Sequence, residues 1–214
     1  MIMQINFSLL ICVSSVIVFT GGCSSCKDCP SALEYHLPIS LTPQQDTFSI
    51  GDTLHLSIRI PKDLTDKQGG IKNTFENFDF KLKIVGYRYD EPHEFSTRIF
   101  NITTQIGYDS VSYYSFFDEY GLRPVYNGSE YIYEGTLTLK ESGVFAVYPG
   151  TGYNDDTNRA EIHGECDMLT IYFYSDTNNG QNNNVELVSP YNGNSTFWEN
   201  QFKLSGGYAF VVRE

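Results

Sequence analysis

The chain predicts an all-β fold, an antiparallel sandwich with one or two short helices, and three observations carry that expectation. Apolar residues recur with period two over most of the sequence. Strand-favouring Tyr and Phe are abundant, at 16 and 15 against a single Trp. Turn residues punctuate the alternating runs, and no strand–helix–strand rhythm that would imply a parallel α/β sheet is visible.

In "LEYHLPISL", Leu33, Tyr35, Leu37, Ile39 and Leu41 share one face, with Glu34, His36 and Ser40 on the other. "DTFSIGDTLHLSIRIP" reads as a hairpin or corner: Gly51-Asp52 marks a turn, Leu54, Leu56, Ile58 and Ile60 alternate with His55, Ser57 and Arg59, and Pro61 closes the run. Further strands are expected in "FDFKLKIVGYRY", "FSTRIFNITTQI", "EYIYEGTLTLK", "GVFAVYPG", "DMLTIYFYS" and "GYAFVVRE". Asn127-Gly128 and Ser142-Gly143 supply turn signals between them. Two stretches carry helical spacing. Tyr113, Phe116, Phe117 and Tyr120 fall at i, i+3, i+4 and i+7 with Gly121 as a stop, and Thr196 and Glu199 stand at capping-box distance in "NSTFWENQFKL". Trp198 is expected to pack its turn against the sheet, with sugar stacking as the rival role. "SDTNNGQNNN" reads as an Asn-rich loop.

The first 19 residues hold no Asp, Glu, Lys or Arg, and the apolar run from Phe7 to Phe19 has the length of a signal-peptide core, about 7–15 residues. It is shorter than the roughly 20 residues that span a bilayer. Gly21 and Gly22 then stand directly before Cys23. This order resembles the lipobox of bacterial lipoproteins, with Thr20, Gly21 and Gly22 in the three positions before the modified cysteine. Thr20 stands where Leu is usual, and no Lys or Arg precedes the apolar run. The resemblance implies that residues 1–22 are a signal, that Cys23 carries the acyl and diacylglycerol groups (palmitate-type chains), and that 23–32 form a tether. The domain then occupies 33–214. A plain secretory peptide cleaved near Gly22 is the alternative.

The C-x2-C-x2-C run of Cys23, Cys26 and Cys29 has the spacing of iron–sulfur ligation, and Pro30 follows it. A fourth ligand is missing nearby, and a thioether at Cys23 removes one thiolate. Mature Cys26, Cys29 and Cys166 are odd in number. A Cys166 bond to Cys26 or Cys29, a local Cys26–Cys29 bridge and free thiols are all compatible with their spacing in an oxidising compartment.

The net charge of −12 belongs to the part after the signal. Such a surface repels phosphate backbones and argues against nucleic acid as a partner. Asn101, Asn127 and Asn194 head Asn-X-Ser/Thr triplets, read here as turns. "AEIHGECD" is the densest chemical stretch, with Glu161, His163 and Glu165 on one side of an extended strand, yet it lacks a metal-motif spacing. "DTNNGQN" places Asp176 and Asn178 like the first ligands of a calcium loop but fails at the next two positions. Asp155 and Asp156 read as solvated loop acids. No nucleophile elbow or phosphate loop occurs, and His36, His55, His93 and His163 have no recognisable nucleophile beside them. No cofactor or metal is expected, nor catalysis; Asp118 and Glu119 are the acids a rival hydrolase reading would use.

"FSIGDTLHLSIRI", "GTLTLKESGVFAVY" and "GGYAFVV" resemble the early core strand, a late hairpin and the closing strand of Ig-like modules. The length implies an elaborated version, since a standard domain has about 100 residues. Acidic, Tyr- and Phe-rich domains on lipid tethers resemble small envelope lipoproteins of the Bacteroidota type. That likeness implies an outer-membrane location, and a non-catalytic binding or structural role toward envelope protein or glycan. The carbohydrate alternative rests on "SYYSFFDEY" and "NGSEYIY", represented by Tyr113 and Tyr131.

Overall fold

Alternation becomes two facing sheets in the computed structural model, which describes residues 32–90, 99–113, 117–150, 160–162, 169–180, 183–193 and 195–214. The strands are β1 (Ala32–Thr42), β2 (Thr47–Ser49), β3 (Thr53–Pro61), β4 (Asp63–Thr65), β5 (Lys72–Thr74), β6 (Leu82–Arg88), β7 (Phe100–Ile106) and β8 (Tyr108–Tyr113). They continue as β9 (Phe117–Arg123), β10 (Val125–Tyr126), β11 (Glu130–Leu139), β12 (Gly143–Gly150), β13 (Ala160–Ile162), β14 (Leu169–Thr177) and β15 (Tyr208–Arg213). Among the described residues, one α-helix, α1 (Thr196–Leu204), follows three short 3-10 turns.

The first sheet has the order β10-β11-β3-β1-β14-β13, with β7 also on β11; the second runs β2-β15-β12-β6-β9-β8. Their inner faces share one apolar core. Leu33, Tyr35, Leu37, Ile39 and Leu41 of β1 are all buried, as are Leu54, Leu56, Ile58 and Ile60 of β3. Opposite them lie Leu82, Ile84, Phe145, Phe210 and Val212. This is the sandwich-like all-β architecture that period-two patterning demands, because each strand must bury one face.

Pairing departs from the antiparallel expectation at two places. β1 runs parallel to β14 from Ala32 to Ile39, and β15 runs parallel to β2. The sheets are therefore mixed. Gly51-Asp52 makes a corner, not a hairpin, since β2 belongs to one sheet and β3 to the other. Gly51 takes φ +90°, and the Asp52 carboxylate accepts from Ser49 N at 2.7 Å.

The expected helix around Tyr113 is instead the β8–β9 hairpin, registered from Tyr108↔Arg123 to Tyr113↔Asp118. Tyr120 and Leu122 alternate into the core. The Tyr120 ring stacks on Phe100 at 5.2 Å, and its hydroxyl donates to Phe100 O at 2.7 Å. A two-sheet core rewards that alternation. Gly121 lies inside β9, opposite Ser110. Asn127-Gly128 is the predicted turn: Asn127 Oδ1 accepts from Ser129 N and Glu130 N, both at 3.0 Å. Asn101, read as a turn residue, lies within β7.

Beside the first half of β1, a turn does the work of a neighbouring strand. Asp66 Oδ1 accepts from Glu34 N at 2.7 Å, Lys67 N donates to Glu34 O at 3.0 Å, and Asp66 Oδ2 accepts from Gly69 N. Burial opposes ionisation of Asp66, but these backbone N–H groups outweigh it and hold the carboxyl below the usual carboxylate range. The sign follows. Because the folded value is depressed, the stabilisation is complete above the unfolded value of about 3.9 and is lost as pH falls through the folded one. Asp66→Asn is expected to cost about 1–2 kcal/mol at neutral pH. In urea titrations at neutral and acid pH, the gap between wild type and variant should narrow on acidification.

Candidate functional site

Chemistry on the outer faces comes from residues the alternation sends away from the core. On the second sheet, β12 and β15 are buried on both sides. Ala146 and Ala209 face outward, and their small side chains let Val185, Val188 and Phe202 pack over the sheet. α1 is nucleated by Ser195, whose hydroxyl accepts from Trp198 N at 3.5 Å. The expected cap was Thr196. Glu199 does not reach back to complete a capping box, because its carboxylate accepts from Ser189 Oγ at 2.7 Å.

Helical spacing divides α1 into two stripes. Trp198, Phe202 and Ser205 lie toward the sheet, while Phe197, Gln201 and Leu204 run along the flank. The sheet covers the first stripe and leaves much of the second in water: Phe197 is 73 % and Leu204 60 % exposed. Between helix and sheet lies an open cleft of about 210 Å³ lined by Tyr148, Phe197, Trp198, Gln201, Phe202 and Ser205.

Aromatic contacts hold its walls. Phe202 lies 5.4 Å from Tyr148 and 5.3 Å from Trp198, ring centre to centre. Trp198 meets Tyr89 edge-on at 6.1 Å, and half-exposed Tyr191 adds a further ring beside Tyr89. The Tyr89 and Tyr148 hydroxyls are 2.6 Å apart. Burial raises both phenols above their ordinary value, Tyr148 far above it, so both stay protonated at neutral pH. Gln201 Oε1 is buried without a hydrogen-bond partner among the described residues; such a group costs about 1–3 kcal/mol until a donor reaches it. Trp198 thus packs against the sheet as expected while one side lines the cleft. The missed partner was Tyr148. A signal existed: "GVFAVYPG" and "GYAFVV" are apolar at successive positions, the mark of strands covered on both faces.

The outer face of the first sheet is polar. Glu134 of β11 is 8 % exposed and accepts on Oε1 from Ser57 Oγ at 3.0 Å and Arg59 Nη2 at 2.9 Å. Its Oε2 lies 2.9 Å from His55 Nε2. A hydroxyl, an acid and an imidazole therefore meet, but in an order that forbids nucleophilic catalysis. The carboxylate sits between the other two, so His55 is not placed to take the Ser57 proton. Further along, His36 lies 5.6 Å from the Tyr174 ring; burial and then the Lys67 charge lower its pKa.

Cys23, Cys26, Cys29 and Cys166 lie outside the described residues, as do His93, Asp155, Asp156, His163, Glu165 and Asn194. Of the stretch around Cys166, the structure describes only the β13 backbone, including Glu161, on the edge of the first sheet. Asn178 is buried, and its side-chain carbonyl accepts from Leu41 N at 2.9 Å, tying the Asn-rich stretch to β1. Glu119 pairs with Lys83 at 3.3 Å; the side chains of Asp118 and Tyr113 lie outside the described parts. Tyr131, picked out as a sugar-facing ring, is 1 % exposed. Its hydroxyl donates to Phe75 O and accepts from Phe78 N, so it is a core residue and no platform. No protein-family model matches the chain, and no curated protein matches it.

Proposed function

We propose that this protein is a lipid-anchored module of a bacterial cell envelope, held in the outer membrane through Cys23, whose domain binds envelope protein or glycan without catalysis. One observation carries the anchor: an uncharged apolar run that ends in Gly21-Gly22-Cys23. Support comes from where the domain begins. β1 starts at Ala32, nine residues beyond Cys23, a length that reaches about 30 Å at full extension. A domain so tethered stays beside the lipid surface.

The binding half rests on the exposed rings around α1, since an apolar patch kept in water on a folded domain marks a contact surface. The Ig-like reading is supported by the grouping of β1, β3 and β11 in one sheet and β6, β12 and β15 in the other. β7 to β9, β13 and β14 are then elaborations.

The test is the intact mass of the protein extracted from its native membrane, before and after thiol reduction. The expected result is a chain beginning at Cys23 with diacylglycerol and acyl increments. A gain of hydrogen on reduction would count one disulfide among Cys26, Cys29 and Cys166. An unlipidated chain with a free Cys23 thiol would overturn the anchor.

A further inference from the structure

We infer that the cleft between α1 and β12 binds a single uncharged sugar ring of a longer glycan, with Trp198 and Phe197 as its stacking surfaces. The inference rests on the binding half of the proposal above and is independent of the anchor.

Four observations converge on that ligand. The cleft is rimmed by aromatic rings, and Phe197 stands 73 % exposed. Such rings offer flat electron-rich faces to the C–H face of a pyranose. Every lining residue is uncharged, which disfavours phosphate, an acidic sugar or a charged peptide, although the chain as a whole carries −12. Polar groups also lie in the lining. They are the Gln201 amide and the Ser205 hydroxyl, which itself donates to Phe202 O at 3.0 Å. A sugar presents hydroxyls around its rim that both donate and accept, which suits an amide and a hydroxyl in the lining.

Size decides between a ring and a larger partner. At about 210 Å³ the cleft is smaller than the roughly 300–1,000 Å³ of pockets that enclose whole small molecules. It is open on one side, so one ring seats while the rest of a chain lies outside. A protein partner would need about 800 Å² of surface. The six residues that line the cleft present far less.

Trp198 is the single tryptophan of the chain, so its fluorescence reports this cleft alone. The full-length protein, extracted in a polyoxyethylene detergent that carries no sugar, is titrated with cello-, malto-, manno- and chitohexaose. A saturable shift of Trp198 emission with at least one of them is expected. Affinity should fall about tenfold or more in Phe197→Ala, whose thermal midpoint should match wild type because the ring is exposed. Gln201→Ala should weaken the same sugar by a smaller factor while leaving the emission change in place. Silence toward all four sugars would overturn the inference, as would a response undiminished in Phe197→Ala. Mass measured on the same preparation separates the readings: a lipidated protein with a silent Trp198 retains the anchor and loses the cleft, and an unlipidated one that responds does the reverse.

Discussion

Tyr131→Ala should cost about 3–5 kcal/mol, the range for removing a large buried aromatic. The ring packs 4.8 Å from Phe80 and 4.7 Å from Tyr126, inside an aromatic group that includes Phe75, Phe78 and Phe173. Truncation leaves a cavity there and strands two backbone groups, Phe75 O and Phe78 N, that the hydroxyl now serves. Tyr131→Phe keeps the ring and isolates the hydroxyl, with an expected loss of about 1–3 kcal/mol. Urea unfolding of the three proteins checks both figures. A near-neutral Tyr131→Ala would mean that the ring does not sit in the core.

Gly150→Ala is expected to be comparably damaging, at about 3 kcal/mol or more. Gly150 closes β12 with φ +106°, where a Cβ is strained in any surroundings. A Cβ there would also stand 2.7 Å from Ser175 Cβ and 3.0 Å from Ile39 Cδ1, on the strands of the opposite sheet. Relief requires the sheets to part, and overpacking of this kind adds about 1–3 kcal/mol. Gly150→Ala with Ser175→Gly should recover the steric part and leave the conformational part. A double variant no more stable than the single one would show that the sheets do not meet at this point. Gly206 approaches β14 just as closely, 2.8 Å from Ser175 Cβ to its own ideal Cβ. Two glycines thus let β12 and the turn before β15 pass β14.

Legibility followed burial. β1, β3 and β11 bury one face each, so their alternation was readable one strand at a time. The β8–β9 segment was not, because Tyr113, Phe116, Phe117 and Tyr120 satisfy a helical period; the choice falls to Phe100, on which Tyr120 stacks. The helix start was off by one residue for a similar reason. Ser195 and Thr196 are both competent caps, and Glu199 is drawn away by Ser189. Tyr131 looked like a platform because "NGSEYIY" says nothing about which Tyr faces in. Half of the cleft was legible through Trp198; the other wall, Tyr148, lies on a strand whose outward face is covered only once α1 folds over it.

By itself the sequence determined the all-β class and the inward side of the one-faced strands, since period two is a local property of side chains. It also set the chemistry around Cys23 as an expectation. Tertiary structure alone decided the parallel partnership of β1 with β14, the corner at Gly51 and the pairing of Trp198 with Tyr148 in one cleft. Backbone N–H and C=O groups are alike at almost every residue and carry no address. Which strand meets which is settled by the fit of whole faces, and that fit exists only after the chain has closed on itself.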